Sequence, residues 1–567
     1  MMTVVPPNKK NLLTVLVEDY FHVGAFENLI RRQNWGNFEP RYERNTLKTL
    51  DLLDELKTSA TFFVLGWIAE RNPKLIREIV SRGHEVASRG YYHRSLKNLT
   101  NDEFREDLRR TNMALEDAGG QKIIGYRSAE KLNYQKDTWI FDVLAEEGFV
   151  YDASFIPTRR DADSQRFAHQ VHSDRRAVWE FPYSTANIGI GLFPIAGGNY
   201  FRQIPYTLMR QAVRDWNNRH AEPFVMYFHV WELDSEQPRI SAASTYNRIR
   251  HYRKLDKMEW IIRENLGKYD FTTAADFLDF ELEHVQSPAI ANPDPIVVSS
   301  EFGKSLEPVT VVIPCYNEES ALPYLANTLR SVEAALRATG YSPEFLFVDD
   351  ASRDATPQKI DELFGGWTNV RVVRHEKNRG VAAGIMTGLR AARTEIVCSM
   401  DCDCTYDPHE LVRMIPMLGE RVDLVTASPY HREGAVRNVP GWRLFLSKGA
   451  SWLYRRTLSS KLDTYTSCFR VYRRSSVADL PLSEHGFLGV AEMLGRLDLR
   501  GGNIVEHPAV LEVRLFGFSK MKTVRTIFGH LTLLSRLAKI RFNSRRIALD
   551  RPPVDEISDE SLKSRSE

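Results

Sequence analysis

The sequence lacks the features that would set it apart from ordinary globular proteins. No stretch reaches the roughly 18 consecutive apolar residues that a transmembrane helix needs. The first apolar run, Leu12 to Val17, is too short for a signal-peptide core and ends in Glu18-Asp19. Five cysteines in 567 residues cannot make a disulfide scaffold, and their odd number fits a reducing compartment, the cytoplasm. Neither charge dominates: 76 Lys and Arg face 74 Asp and Glu, which argues against a nucleic-acid partner. What is there is 43% apolar and 26% charged, the balance of a chain that buries cores. At about 150 residues per domain, the length suits three or four domains, or two large α/β ones.

Residues 285–307 hold three prolines, several serines and no periodicity, which reads as an interdomain linker. The expected domains are therefore 1–284 and 308–545, followed by a disordered tail over 546–567. In the first, Leu13–Val17, Ala60–Val64, Glu85–Ala87 and Phe224–His229 predict strands. Thr46–Lys57, Pro73–Arg82 and Asn101–Ala118 predict amphipathic helices. This alternation implies a parallel sheet, open or closed into a barrel. In the second, Val309–Ile313, Glu344–Val348, Val370–Arg374 and Glu395–Met400 predict strands with helices between them, a doubly wound open sheet.

In the second domain, three predicted strands end in acidic turns: Pro314-Cys315-Tyr316-Asn317-Glu318-Glu319, Asp349-Asp350-Ala351-Ser352-Arg353-Asp354 and Asp401-Cys402-Asp403. Ligands of open α/β sheets bind at such strand ends. A hard cation, Mg²⁺ or Mn²⁺, together with a diphosphate explains carboxylates gathered there, because these ions take oxygen ligands and keep phosphate oxygens in their shell. Cys402 and Cys404 lack zinc spacing and read as packing residues.

These turns, with Asn378-Arg379-Gly380, the run Ser467 to Arg474 and the run Arg514 to Lys520, resemble family 2 glycosyltransferases. The branch they resemble most is that of the dolichyl-phosphate mannose and polyprenyl-phosphate glycosyltransferases. The resemblance spans Val309 to about Leu537 and implies the nucleotide-sugar-binding GT-A fold. It also implies roles. Pro314, Tyr316, Glu318, Asp349 and Asp350 would hold the nucleotide. Asp401 and Asp403 would bind metal and diphosphate, with Asp403 also catalytic. Arg514 and Lys520 would neutralise the leaving diphosphate, and Asp463 would be the base or acceptor-side carboxylate. The implied reaction is one inverting displacement by a polyprenyl-phosphate or glycan acceptor on a nucleotide-sugar donor, in polysaccharide or lipid-linked glycan synthesis. Pro429 and Thr405 depart from the family pattern, and the departures bear on donor and acceptor identity.

In the first domain, Glu18-Asp19-Tyr20-Phe21-His22, Gly83 to His93, Gly125-Tyr126-Arg127 and Tyr227 to Glu232 resemble polysaccharide deacetylases with the NodB-homology fold. That fold is a distorted (β/α)7 barrel. The resemblance implies Asp19 and His93 as ligands of zinc or another divalent metal, Glu18 as base, His229 as acid and Arg127 as the residue orienting the base. The second metal histidine is replaced by Arg89, and a guanidinium has no lone pair to give a metal. Leu16 and Ser128-Ala129 depart as well. Either a weaker metal site survives on Asp19, His93 and water, or the metal is gone and Arg89 pairs with Asp19. The expectation taken forward is a metal-free, degenerate domain. A bifunctional transferase–deacetylase is the alternative within enzymes, and a non-catalytic carbohydrate-binding scaffold the alternative outside them.

Between Val513 and Leu549 there are nine Lys or Arg and no Asp or Glu. Val524, Ile527, Phe528, Leu531, Leu534 and Ala538 recur at helical spacing, with Leu533, Leu537 and Ile540 broadening the face. A basic helix with such a face suits an anionic membrane surface contacted through 520–546. The expected location is cytoplasmic and peripheral, on the inner face of the membrane.

Overall fold

A computed structural model describes residues 9–161, 163–172, 176–189, 191–285, 306–439, 441–517 and 523–549. Most of the expected linker, the tail from Asp550 and Lys520 lie outside the described residues. The chain divides into two compact units, Met1–Ser300 and Glu301–Glu567.

The first unit is built on β1 (Asn11–Val17), α1 (Tyr42–Glu55), β2 (Thr61–Val64), α2 (Pro73–Ser81), β3 (Glu85–Ser88), α3 (Asn101–Gly119), β4 (Gly125–Tyr126), β5 (Tyr151–Asp152), β6 (His169–His172), β7 (Ala177–Glu180), β8 (Val225–His229) and β9 (Phe271–Thr272). The sheet order is β8-β1-β2-β3-β4-β5-β7-β6, with β9 also paired to β1. All pairings are parallel except β6 with β7, the arrangement of a curled, incompletely closed barrel. Side chains alternate along β1. Leu12 and Leu16 point into a core with Phe63, Ala87 and Tyr227, and Glu18 continues the same parity. α3 starts at a reciprocal cap: Thr100 Oγ1 accepts from the Glu103 amide while the Glu103 carboxylate accepts from the Thr100 amide.

The second unit contains β10 (Glu307–Cys315), α4 (Leu322–Ala338), β11 (Tyr341–Asp349), β12 (Val370–Arg374), α5 (Val381–Ala391), β13 (Ile396–Ser399), β14 (Leu424–Ser428), α6 (Gly441–Thr457), β15 (Arg470–Arg473), α7 (Phe487–Leu499), β16 (Ile504–Pro508) and α8 (Thr523–Leu549). β10 begins at Glu307, the last residue of the expected linker. The sheet order is β12-β11-β10-β13-β15-β14-β16. β15 runs antiparallel to both neighbours, so the sheet is mixed rather than wholly parallel. Alternation along β10 feeds two cores. Val309, Val311 and Ile313 pack with Leu325 and Leu329 of α4. Val312 packs on the other face, with Ile385 and Leu389 of α5.

One expectation about α8 is corrected. Leu533, Leu534 and Leu537, counted on the membrane face, are buried in the domain's own core. Phe528 and Leu531 stay outside it, 68% and 48% exposed. Burying the leucines removes their apolar area from water without a bilayer, so only part of the face is left for an outside surface. The side chains of Val524 and Ile527 lie outside the described residues.

Asp152 on β5 and Glu180 on β7 stand opposite each other, both wholly buried. Asp152 accepts from the Ser154 amide and hydroxyl, and Glu180 from the Phe155 amide at 3.1 Å. Burial pushes both carboxyls up, and the Asp152 charge adds to the rise at Glu180, which lies well above the usual range. A carboxyl raised in the folded state contributes stability that is complete below its unfolded value, about 4.3, and is lost as pH rises through the folded value. Glu180→Gln keeps the acceptor for Phe155 and removes the ionisation. Its melting temperature should therefore fall less than wild type's between pH 5 and alkaline pH. Equal slopes in thermal denaturation of the two chains would refute the buried proton.

Candidate active sites

Where β1 ends, Glu18 is only 1% exposed and faces three cationic or potentially cationic groups. Its Oε2 lies 3.2 Å from Arg89 Nε and 3.1 Å from His93 Nε2, and its Oε1 lies 3.2 Å from His229 Nε2. Arg89 also donates to the Ser128 carbonyl at 2.7 Å. The network continues from His229 Nδ1 to Glu232, 3.2 Å away, and from Glu232 to Arg202 Nε at 2.7 Å. Burial alone would raise the Glu18 carboxyl; the charges of Arg89, His93 and His229 overcome it and hold Glu18 well below the usual range. In the same way Arg202 and His229 outweigh burial at Glu232 and bring it to about 2. His93 sits at φ 52°, in the left-handed region that costs a non-glycine residue of order 1 kcal/mol or more.

This arrangement corrects two expectations. Asp19, expected as metal ligand and as partner of Arg89, turns to backbone amides instead. Its Oδ1 accepts from Tyr20 at 2.9 Å, and its Oδ2 from Arg41 at 2.6 Å and Tyr42 at 2.9 Å. Burial pushes it up to about 7 despite those amides. The partner of Arg89 is Glu18, because adjacent residues at a strand end point to opposite sides. Arg127, expected to orient the base, donates to Thr14 Oγ1 at 2.9 Å and lies over the Tyr183 and Tyr227 rings at 4.8 and 4.7 Å. Zinc does not fit the site. The His93 nitrogen that would ligate it is turned to Glu18, Asp19 is held by backbone amides, and a permanent guanidinium charge occupies the cluster.

The second unit gathers its three acidic turns around a cavity of about 540 Å³, lined by Pro314, Tyr316, Glu318, Asp350, Asp401, Asp403 and Arg514 among others. Each turn contains a non-glycine residue in the left-handed region: Asn317 at φ 53°, Ala351 at φ 60° and Cys404 at φ 51°. Strain of this kind persists where surrounding bonds over-determine it. Here Asn317 Oδ1 accepts from the Arg353 amide at 2.7 Å and the Asn317 amide donates to Ser352 Oγ at 2.9 Å, tying the first turn to the second.

The two aspartates of the second turn divide the work. Asp349 closes its own turn, accepting from the Ser352 amide at 3.1 Å. Asp350 accepts from the Arg379 and Gly380 amides at 2.8 and 2.7 Å and meets His375 Nδ1 at 2.7 Å. The carboxylate expected to grip nucleotide thus also builds the loop beside it. Gly380 is required there: at φ 96°, a Cβ would stand 2.6 Å from the His485 carbonyl oxygen. His375 was missed from sequence; its position at the end of β12, next to the other strand ends, is the signal that could have found it.

Burial and the Asp403 charge push Asp401 up to about 7. Asp403 accepts from the Thr405 amide at 3.1 Å and pairs with Arg514 Nε at 3.5 Å. Arg514 also bonds Glu318. Among the described residues, no group of three or more His, Cys, Asp or Glu side chains is arranged to hold a metal ion by itself. Even so, Asp401 and Asp403 fit Mg²⁺ or Mn²⁺: they are hard oxygen donors, a cationic guanidinium already stands against one of them, and such ions fill their shell with phosphate oxygens and water. Asp463, expected as base, is not brought to the cavity. It pairs with Arg455 at 2.7 Å, and its amide donates to Glu506 at 2.8 Å.

A second cavity, of about 560 Å³, is mostly apolar. Its lining includes Trp442, Phe445, Trp452 and Leu531, and it shares Val439, Phe487 and Leu511 with the acidic one. Trp442, Phe445 and Trp452 lie on one face of α6 and are 52%, 77% and 57% exposed. No helix among the described residues is long and apolar enough to cross a membrane.

Comparison with known proteins gives three family matches. Residues 310–480 match Glycosyl transferase family 2, residues 33–141 match Polysaccharide deacetylase, and residues 153–279 match a domain of unknown function, DUF3473. A polyprenol monophosphomannose synthase of Mycolicibacterium smegmatis is 31% identical over 219 residues, 37% of this chain and 80% of that protein. A dolichol-phosphate mannosyltransferase of Pyrococcus furiosus is 31% identical over 233 residues, 41% of this chain; the chain spans 64% of that relative's length. A solved structure described as a polysaccharide deacetylase from Mycobacterium smegmatis is 20% identical, covering 49% of this chain and 92% of its own, with a TM-score of 0.33. By its sequence similarity, the chain belongs to glycosyl transferase family 2, with a polysaccharide deacetylase domain ahead of the transferase domain.

Proposed function

We propose that the second unit transfers a sugar from a nucleotide-sugar donor to a polyprenyl-phosphate acceptor, and that the first unit is a metal-free relative of the deacetylases that no longer hydrolyses. The observation that carries the transferase reading is the junction of an acidic cavity with an apolar one through Val439, Phe487 and Leu511. A polar head and an apolar chain are the two parts of such an acceptor. The names of the two curated relatives, which join mannose to a dolichol or polyprenol phosphate, support the same class. The division proposed is 1–284, 285–307, 308–545 and 546–567, with β10 starting at Glu307 and α8 running on to Leu549 across the last two borders.

In this reading Pro314, Tyr316 and Asp350 border the nucleotide, with Asp350 fixing the 378–380 loop. Asp401 and Asp403 would hold Mg²⁺ or Mn²⁺, which supplies positive charge against the departing diphosphate. The acceptor phosphate oxygen forms its bond to the anomeric carbon as the bond to the nucleoside diphosphate breaks, inverting that centre. A phosphate is already ionised near neutral pH, so no strong base is needed, which agrees with Asp463 standing away from the cavity. Arg514 supplies a further cation to the leaving group, and Lys520 a second one in the resemblance.

The acceptor class also gives the exposed aromatic face a partner, an anionic membrane surface on the cytoplasmic side. α6 and α8 carry four and six Lys or Arg and no Asp or Glu. Trp and Phe beside cations are the composition of an interfacial helix.

Four outcomes test these readings. Asp403→Asn should lower transfer by at least about 100-fold, assayed with a panel of UDP- and GDP-sugars, Mn²⁺ and polyprenyl phosphate, while circular dichroism stays unchanged. Turnover at the wild-type rate sinks the role. The full chain should carry no stoichiometric zinc by elemental analysis and release no acetate from acetylated glucosamine oligomers. Arg89→Ala should destabilise the first unit by about 3 kcal/mol in denaturant unfolding, because it leaves Glu18 without its permanent cation. One zinc per wild-type chain would instead support the bifunctional reading. Finally, the chain should co-sediment with phosphatidylglycerol vesicles more than with phosphatidylcholine ones. The double variant Phe445→Ser, Trp452→Ser should lose most of that binding, and equal binding to both vesicle types counts against the membrane surface.

A further inference from the structure

Arg514 occupies a place in the acidic cavity that donor binding alone does not explain. One terminal nitrogen bonds Glu318, and Nε lies 3.5 Å from Asp403 Oδ2 and donates to the Phe516 carbonyl at 2.7 Å. All three charged side chains are largely withdrawn from water: 19% exposed for Arg514, 11% for Glu318 and 13% for Asp403. Carboxylates gathered in such a place repel one another, and a guanidinium offsets that repulsion with no ion from solution. The chain carrying Arg514 is fastened to the Asp403 turn, since the Glu512 amide donates to the Thr405 carbonyl at 2.9 Å. That backbone bond keeps the guanidinium beside the acidic turn. Gly517, at φ 70°, takes the turn that follows.

We propose that Arg514 has two stations, and that moving between them couples metal binding to donor binding. Without donor it is the counter-ion of Glu318 and Asp403, and it competes with a divalent cation for Asp403. The donor's diphosphate, entering the same cavity, offers the guanidinium a bidentate partner of its own and releases Asp403 to the metal. Metal and nucleoside diphosphate then bind with positive coupling, and by linkage each raises the affinity of the other by the same factor. This rests on the reading that Asp401 and Asp403 hold the cation.

Mn²⁺ binding to the purified full chain tests it, read as free Mn²⁺ by electron paramagnetic resonance and independently by calorimetry, with Mn²⁺ alone and with UDP or GDP. Wild type should bind Mn²⁺ alone weakly and at least tenfold more tightly with the matching nucleotide, after correction for Mn²⁺ held by free nucleotide. Arg514→Gln should bind Mn²⁺ alone at least fivefold more tightly than wild type and show a smaller gain from nucleotide. Arg514→Lys, which keeps the charge, should remain weak. If Arg514→Gln binds Mn²⁺ alone no better than wild type while Asp403→Asn abolishes binding, the two-station inference is wrong and the metal assignment stands. If Asp403→Asn binds Mn²⁺ as wild type does, the metal assignment falls and the inference with it.

Discussion

A carboxylate taken out of water must find a cation, a set of donors or a proton, and both units of this chain are shaped by how that demand is met. Glu18 sits in a buried cluster whose permanent charge is Arg89. Glu318 and Asp403 lean on Arg514. Asp19 and Asp350 are met by backbone amides, and burial beside Asp152 favours the protonated form of Glu180. These are three physical answers to one desolvation cost, and they differ in what they leave possible. An acid bound to amides is fixed in place. An acid held by an arginine can exchange that partner for another cation only where the arginine has somewhere else to go.

That difference separates the two sites. Arg89 is 4% exposed and has a second fixed partner in the Ser128 carbonyl. Of the two histidines at Glu18, His229 is tied into the chain that runs through Glu232 to Arg202, and His93 stands between Glu18 and Arg89. Removing Arg89 strands the Glu18 carboxylate, and with Arg89 in place the cluster balances that charge without an ion from solution. Arg514, by contrast, borders a cavity of about 540 Å³. In the two-station reading proposed above, the same residue type thus closes one site and leaves the other responsive.

Much of the fold was legible in the sequence because it follows from burial. The apolar runs around Leu13–Val17 and Val309–Ile313 became strands of nearly those bounds, and the acidic turns fell at strand ends as expected of an α/β sheet. The antiparallel strand Arg470–Arg473 was not seen, since its short run begins and ends in arginine and its apolar pair, Val471 and Tyr472, gives no clear period. The division of roles between Glu18 and Asp19 was misread for a geometric reason: two adjacent acids have the same chemistry in a sequence, and only the strand's parity decides which one faces inward. Three leucines of the apolar stripe on α8 were likewise spent on its own core, because helical spacing reports an apolar face without saying what covers it.

What could not be read from sequence at all is the role of distance in the chain. Arg514 lies 196 positions from Glu318, and Arg89 lies 71 from Glu18. A motif shows that an acidic turn exists but is silent about which distant cation meets it, and that pairing decides whether the turn is available for chemistry. The three left-handed residues, Asn317, Ala351 and Cys404, express the same point in the backbone. Each is unfavourable by itself, and Asn317 is held by bonds from another turn. The acidic cavity is therefore a property of strand ends brought together by the sheet, and in the proposed reading its response to metal and donor depends on Arg514, the distant cation that meets two of its carboxylates.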